Sequence, residues 1–410
     1  MGMNNTPSAD RVHIGFFGRR NAGKSSIVNA FTGQDLALIS DMKGTTTDPV
    51  YKAMELLPMG PVVIIDTPGF DDEGKLGMLR VQRTKQVLNR TDVAILVTDV
   101  TEGIGECERE LIDLFKQKDI PYLIAYNKSD LAEAPPEAPL NGIYTCAIDH
   151  TGINELKEKV ASLVAAEDNK SRIVGDLIHP GDIVVLVTPI DEAAPKGRLI
   201  LPQQQTIRDI LEENAICMVT KESQLKETLQ KLGRKPAMVI TDSQVFAQVS
   251  AETPLEIPLT SFSILMARYK GFLHTAVRGI AEVERLKDGD TILITEGCTH
   301  HRQCDDIGSV KIPAWLRGYT GKTFNVKTVS GRDFPEDLSA YSLIIHCGGC
   351  MLTEREVRYR MKCAEDQKVP FTNYGVAIAY MKGILKRSLE IFPDLLVEIG
   401  GGGLACNNNE

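Results

Sequence analysis

Residues 341–350 read YSLIIHCGGC: a short run, Ser342 to Ile345, that stops abruptly at His346, Cys347, Gly348, Gly349 and Cys350. An apolar run bounded by polar residues and glycines is the pattern of an interior strand in a parallel sheet. In such sheets ligand chemistry collects at the carboxyl ends of the strands. The pattern recurs at 291–300, TILITEGCTH, where a strand runs into Cys298 and His300. With both strands parallel in one sheet, Cys298, Cys347 and Cys350 meet at the same edge. Three thiolates with two nearby imidazoles, His300 and His346, can hold a metal ion or an iron–sulfur cluster.

The chain of 410 residues has room for two or three cores. Its 46 basic and 55 acidic residues give a net charge of -9, which disfavours a nucleic-acid backbone as the main partner. The nine cysteines are odd in number and unevenly spaced, and residues 1–10 are polar, without the apolar core of an export signal. Reduced thiols in a cytoplasm are the expectation. No apolar run approaches the roughly 20 residues of a membrane helix.

Toward the N-terminus, an apolar strand over 12–17 leads directly into GRRNAGKS, residues 18–25, and then into a helical pattern. This is the phosphate-binding loop G-x-x-x-x-G-K-S in its required strand–loop–helix context. Gly18, Ala22, Gly23 and Ser26 bring backbone amides toward the phosphates. Lys24 is placed to reach the β and γ phosphates, and the Ser25 hydroxyl to bind Mg2+. A second strand ends in Asp66-Thr67-Pro68-Gly69, the D-x-x-G that senses the γ-phosphate. A third ends in Asn127-Lys128-Ser129-Asp130, an N-K-x-D whose carboxylate accepts guanine N1 and N2 hydrogens that adenine lacks. Cys146 and Ala147 stand where a Ser-Ala backbone contact to the guanine oxygen is usual. Four motifs in this order make GTP the ligand.

The runs GRRNAGKSSIVNAFTGQ and SDMKGTTTDPVYKAMELLPMGPVVIIDTPG resemble the potassium-activated, translation-factor-class GTPases related to the tRNA-modification GTPases. The resemblance implies that Asn21 coordinates K+ beside the phosphates and that Thr46, in GTTTD, binds Mg2+. Lys24, Asn21, Thr46 and Gly69 then carry the catalytic roles. Phe70 follows Gly69 in place of the water-orienting glutamine of Ras-like proteins. Turnover is therefore expected to be slow, against roughly 3–5 × 10⁻⁴ s⁻¹ for unassisted Ras, and to rely on a cation at Asn21.

The reading is an α/β chain: a P-loop GTPase domain over 1–170, then two further α/β domains with largely parallel sheets, 175–265 and 270–410. Strands are expected at 182–187, 215–219, 238–241 and 323–327. Helices are expected at 206–214, 222–232, 305–316, 355–366 and 375–387, with one or two more linking the domains over 259–284. The middle domain shows no catalytic cluster and is read as a homodimerisation surface.

Taken together, the GTPase half and the pattern Cys298-x-His300 with His346-Cys347-x-x-Cys350 resemble the maturation scaffold of FeFe-hydrogenase, the HydF-type family. The resemblance implies that the three cysteines hold a 4Fe-4S cluster with one iron open. It further implies that a di-iron precursor is assembled or carried there and passed to apo FeFe-hydrogenase, with radical-SAM maturation enzymes as further partners. A competing reading is an RNA- or ribosome-associated GTPase whose Cys3His site holds structural zinc. Net acidity and the lack of an aromatic-plus-basic module weigh against it.

Overall fold

The computed structural model describes residues 11–34, 49–70, 84, 87–132, 141–167, 172–190, 199–297, 306–331 and 334–396. The chain divides into two compact units, 1–170 and 171–410.

The first unit is built on a six-stranded sheet in the order β2-β3-β1-β4-β5-β6. Its strands are β1 (Val12–Phe17), β2 (Val50–Leu56), β3 (Gly60–Asp66), β4 (Val93–Asp99), β5 (Tyr122–Asn127) and β6 (Gly142–Tyr144). Only the β2–β3 pairing is antiparallel. Alternate residues of β1 feed two separate cores: Ile14 and Phe16 pack with Ile27 and Phe31, while Phe17 packs with Leu96 and Phe115. That two-sided burial is why β4 is apolar nearly throughout and buried at every position. The helix expected after the phosphate loop is Lys24–Thr32, and the amphipathic stretch after β4 forms Glu106–Gln117.

The second unit holds two four-stranded, all-parallel sheets, ordered β10-β9-β7-β8 and β12-β11-β13-β14. The first contains β7 (Ile183–Val187), β8 (Ile216–Thr220), β9 (Met238–Thr241) and β10 (Leu259–Ser261). The second contains β11 (Thr291–Glu296), β12 (Asn325–Ser330), β13 (Leu343–His346) and β14 (Phe371–Asn373). One continuous core runs through both, from Ile173 to Leu395. Arg387 reinforces the join by donating to the carbonyls of Ser250, Thr253 and Pro254.

Two of these strands correct the sequence reading. The stretch 259–284 opens with β10 before the helices Phe262–Tyr269 and Leu273–Ile280. Likewise β14 precedes the last helical stretch, which breaks at Lys382 and Gly383 into Tyr374–Met381 and Leu385–Ser388.

Candidate functional site

The nucleotide motifs converge at the carboxyl ends of β1, β3 and β5. Gly18 has φ 141, and a Cβ on it would lie 2.1 Å from the Val97 carbonyl oxygen. Gly23 has φ 88, and its Cβ would lie 2.2 Å from Asn127 Nδ2. The loop can follow this path only with glycine at both places. Lys24 is buried and donates to the carbonyls of Gly18 (3.0 Å) and Arg19 (2.6 Å), which holds its ammonium against the loop it closes. Asn21 is exposed and left-handed, with φ 63, and Ser26 is exposed on the first turn of the helix.

Ser25 Oγ donates to Asp66 Oδ2 at 2.9 Å. Burial pushes the Asp66 carboxyl up from its ordinary value, against the pull of Ser25 and Lys24. Its second oxygen, Oδ1, is buried and accepts no hydrogen bond. An orphaned carboxylate oxygen beside a hydroxyl is a hard-oxygen pair that suits Mg2+, so Ser25 and Asp66 fit the ion. Thr46 lies outside the described residues. Gly69 is half-buried, and Phe70 is 5% exposed in the core with its amide on Gly18 O at 3.3 Å. The position of the Ras glutamine is thus given over to packing.

On the base side, Asn127 is buried and donates to Ala22 O at 3.0 Å, tying N-K-x-D to the phosphate loop. Asp130 is exposed and bonds the buried Cys146 thiol; Ala147 follows, half-buried. Two ion pairs escaped the motif reading. Lys128 donates to Asp99 Oδ2 at 2.6 Å. Arg19 grips the buried Glu108 at 2.6 and 2.7 Å. Glu108 carried no sequence signal beyond an acidic first helical turn.

In the second unit, β11, β13 and β14 end side by side. Thr295 pairs with His346 in register, and the Cys347 amide donates to Thr295 O at 2.9 Å. The Cys347 sulfur accepts the amides of Gly297 (3.1 Å) and Gly349 (3.4 Å). Cys347 is therefore stitched to the residue immediately before Cys298. Cys298 and His300 lie outside the described residues, and among the described residues no group of three or more His, Cys, Asp or Glu is assembled for a metal. Burial pushes the Cys350 thiol up to about 12, and Cys347 adds to the shift against the nearby Lys270 charge. Two half-buried thiols one turn apart, with amides directed at one sulfur, suit a ligand that takes them as thiolates.

His346 is turned inward. It is fully buried, with Nδ1 against Cys347 O at 2.6 Å and Nε2 facing Arg360 Nη1 at 3.5 Å. Its ring packs on Phe371 and Phe272, with centroids 5.5 and 6.0 Å away. Burial, and then the Arg360 charge, push its pKa down to about 3. Both nitrogens have partners inside the protein, and in this arrangement His346 braces the turn. Arg360, 1% exposed, bonds Glu356, Thr295 and the Gly331 carbonyl. Glu296 and Tyr374, joined at 3.1 Å, form a second buried polar pair beside the turn. No motif marks these residues.

Three family models match the chain: a 50S ribosome-binding GTPase over 13–128, the hydrogen maturase F dimerization domain over 173–271, and the hydrogen maturase F tetramerization domain over 274–391. GTPase Der of Kosmotoga olearia is 31% identical over 189 residues, covering 42% of this chain and 42% of Der. The tRNA modification GTPase MnmE of Synechococcus sp. JA-3-3Ab is 35% identical over 162 residues, covering 37% and 34%. The chain thus matches less than half the length of these relatives. A solved structure of Era with MgGDPNP and a 16S ribosomal RNA fragment is 18% identical, covers 54% of this chain and 98% of its own, and has a TM-score of 0.34. With a GTP-hydrolysing domain followed by both maturase-specific domains, the chain belongs to the hydrogen maturase F (HydF) family of GTPases.

Proposed function

We propose that the chain is a GTP-driven scaffold in which Cys298, Cys347 and Cys350 hold a 4Fe-4S cluster. On it the di-iron precursor would be assembled or delivered to apo FeFe-hydrogenase, in concert with radical-SAM maturation enzymes. The observation that carries the reading is the Gly297 amide on the Cys347 sulfur, which brings the strand end before Cys298 against the Cys347–Cys350 turn. The bound cluster would supply an iron with an exchangeable position. The protein supplies thiols and backbone amides that offset thiolate charge. In the first unit, K+ at Asn21 and Mg2+ at Ser25, Asp66 and Thr46 would offset the phosphate charge during hydrolysis, and turnover would be slow. Of the described residues, no helix is long and apolar enough to cross a membrane, and a cytoplasmic setting suits the free thiols.

The scaffold is further proposed to be a homodimer. Edge strand β8 leaves Ile216 48% and Val219 44% exposed, within the stretch matched by the dimerization model. An apolar sheet edge is a template for pairing with a second copy.

Anaerobic reconstitution with iron and sulfide tests the central claim. The wild type is expected to bind four irons per chain with a broad visible absorption, and Cys347→Ser to lose both. A colourless chain holding one zinc would replace this reading with the structural-zinc one.

A further inference from the structure

The second unit contains the same structure twice. Strand β10 and the helix Phe262–Tyr269 recur 112 residues later as β14 and the helix Tyr374–Met381. At that offset Pro258, Thr260, Lys270 and Gly271 return as Pro370, Thr372, Lys382 and Gly383. Backbone detail repeats with them. Ser261 accepts the amide of Ile264 and Asn373 that of Val376. The helices close on Lys270 N to Met266 O at 2.9 Å and Lys382 N to Ile378 O at 3.0 Å, followed by Gly271 at φ 75 and Gly383 at φ 70.

The earlier strands agree. β7 and β11 each follow a Gly-Asp pair whose carboxylate accepts the amide three residues upstream, His179 at 2.8 Å and Lys287 at 2.7 Å. The residue after β9, Asp242, donates its amide to Val187 O, as Cys347 after β13 does to Thr295 O. Read in the same direction, β10-β9-β7-β8 and β14-β13-β11-β12 trace one path.

The copies meet through matching residues. Ser263 and Gly375 occupy the same place in their helices and touch: the Gly375 amide donates to Ser263 Oγ at 3.1 Å, and a Cβ on Gly375 would lie 2.8 Å from Ser263 Cβ. Thr275 donates to Glu365 at 2.9 Å, and the counterparts of these two residues, Arg387 and Thr253, bond at 2.6 Å. A contact that recurs with its partners exchanged marks a two-fold relation.

We propose that residues 179–271 and 287–383 are two copies of one repeat closed about a local two-fold axis at Ser263 and Gly375. In this arrangement the first copy's helix Phe262–Tyr269 is a positioning wall for the cysteine turn carried by the second. The position of a Cβ on Gly348 lies 3.6 Å from Met266 Cβ and 3.8 Å from Ser263 Oγ. Asn373, which caps the helix beside the turn, donates to Ser263 O at 2.9 Å. The turn is thus backed by the copy that lacks the Cys347–Cys350 pair. The inference rests on the cluster reading only for the use to which the turn is put, and its test needs no metal.

The test compares full-length Gly375→Ser with the exchanged pair Ser263→Gly/Gly375→Ser, both reduced and metal-free. N-ethylmaleimide labelling of Cys347 and Cys350 is followed by mass spectrometry, and unfolding in urea by the fluorescence of the single tryptophan, Trp315. Gly375→Ser overpacks the axis and should speed labelling by about ten-fold or more while lowering the unfolding midpoint. The exchanged pair rebuilds the contact from the other side and should return labelling to within a factor of about two of wild type. Labelling in the exchanged pair as fast as in Gly375→Ser, or failure of the pair to fold, overturns the proposal, as does wild-type labelling in Gly375→Ser. If Gly375→Ser alone does not fold, the exchanged pair decides. Iron binding by the wild type is read separately, and its absence would remove the cluster while leaving the two-fold intact.

Discussion

Arg19 in the phosphate loop and Glu108 in the first turn of the helix Glu106–Gln117 are joined by two hydrogen bonds across 89 residues of sequence. Glu108 also accepts the Gly105 amide at 3.0 Å, and its side chain is 1% exposed. Burial pushes the Glu108 carboxyl up, but Arg19 and the amides more than offset this and hold it below the usual glutamate value. A bidentate, charge-assisted pair fixes both position and direction. On the other side of the loop, Asn127 holds Ala22 O, so the loop is anchored at both ends before any phosphate arrives.

Glu108→Gln keeps the shape and removes the charge. The expected outcome is a KM for GTP raised about five- to ten-fold with a smaller change in kcat, because the pair orders the loop without touching the reacting phosphate. Steady-state kinetics at saturating Mg2+ measure this. An unchanged KM would mean that the loop holds its conformation without the clamp.

How much of this was legible in the sequence depends on how local each feature is. The phosphate loop, D-x-x-G and N-K-x-D were readable because each is a short motif on a strand end, and parallel pairing then brought the ends together. β10 and β14 were not readable. Each has three residues, too few to show a period, and each last residue, Ser261 or Asn373, also caps the helix that follows. The role of His346 was not readable, because its neighbour Cys347 suggests a ligand, whereas its environment is set by Arg360, which only the fold brings against it.

Asn21→Ala tests the monovalent cation. Asn21 is exposed in the phosphate loop with a left-handed backbone, which asparagine tolerates better than most residues. With the water-orienting glutamine position filled by buried Phe70, stimulation of GTP turnover by K+ over Na+ is expected in the wild type and lost in the variant. A variant that retains the full K+ response would assign the cation elsewhere.

The β8 edge should respond to charge. Val219→Lys places an ammonium on the apolar edge at little cost to the fold, since Val219 is 44% exposed in the single chain. Sedimentation is expected to show the wild type as a dimer or higher assembly and the variant shifted toward monomer, with dimer affinity weakened at least about 100-fold. An unshifted dimer would exclude β8 from the interface.

His346 makes the second unit acid-sensitive. Its folded pKa is about 3 against roughly 6.5 for a free histidine, so the folded chain keeps it neutral where the unfolded chain takes up a proton. The stabilisation is complete above about pH 6.5 and is lost as pH falls toward 3, which amounts to about 2 kcal/mol by pH 5. His346→Asn preserves a donor toward Cys347 O and removes the titration. Urea unfolding of the metal-free chain, followed through Trp315, should be weaker for the variant at pH 7.5, with the gap narrowing by about 2 kcal/mol at pH 5. Carboxylates titrating in the same window are common to both proteins and cancel in the difference. A gap that stays constant with pH would show that folding leaves the His346 pKa unshifted, and neither burial nor the Arg360 charge would then govern its protonation.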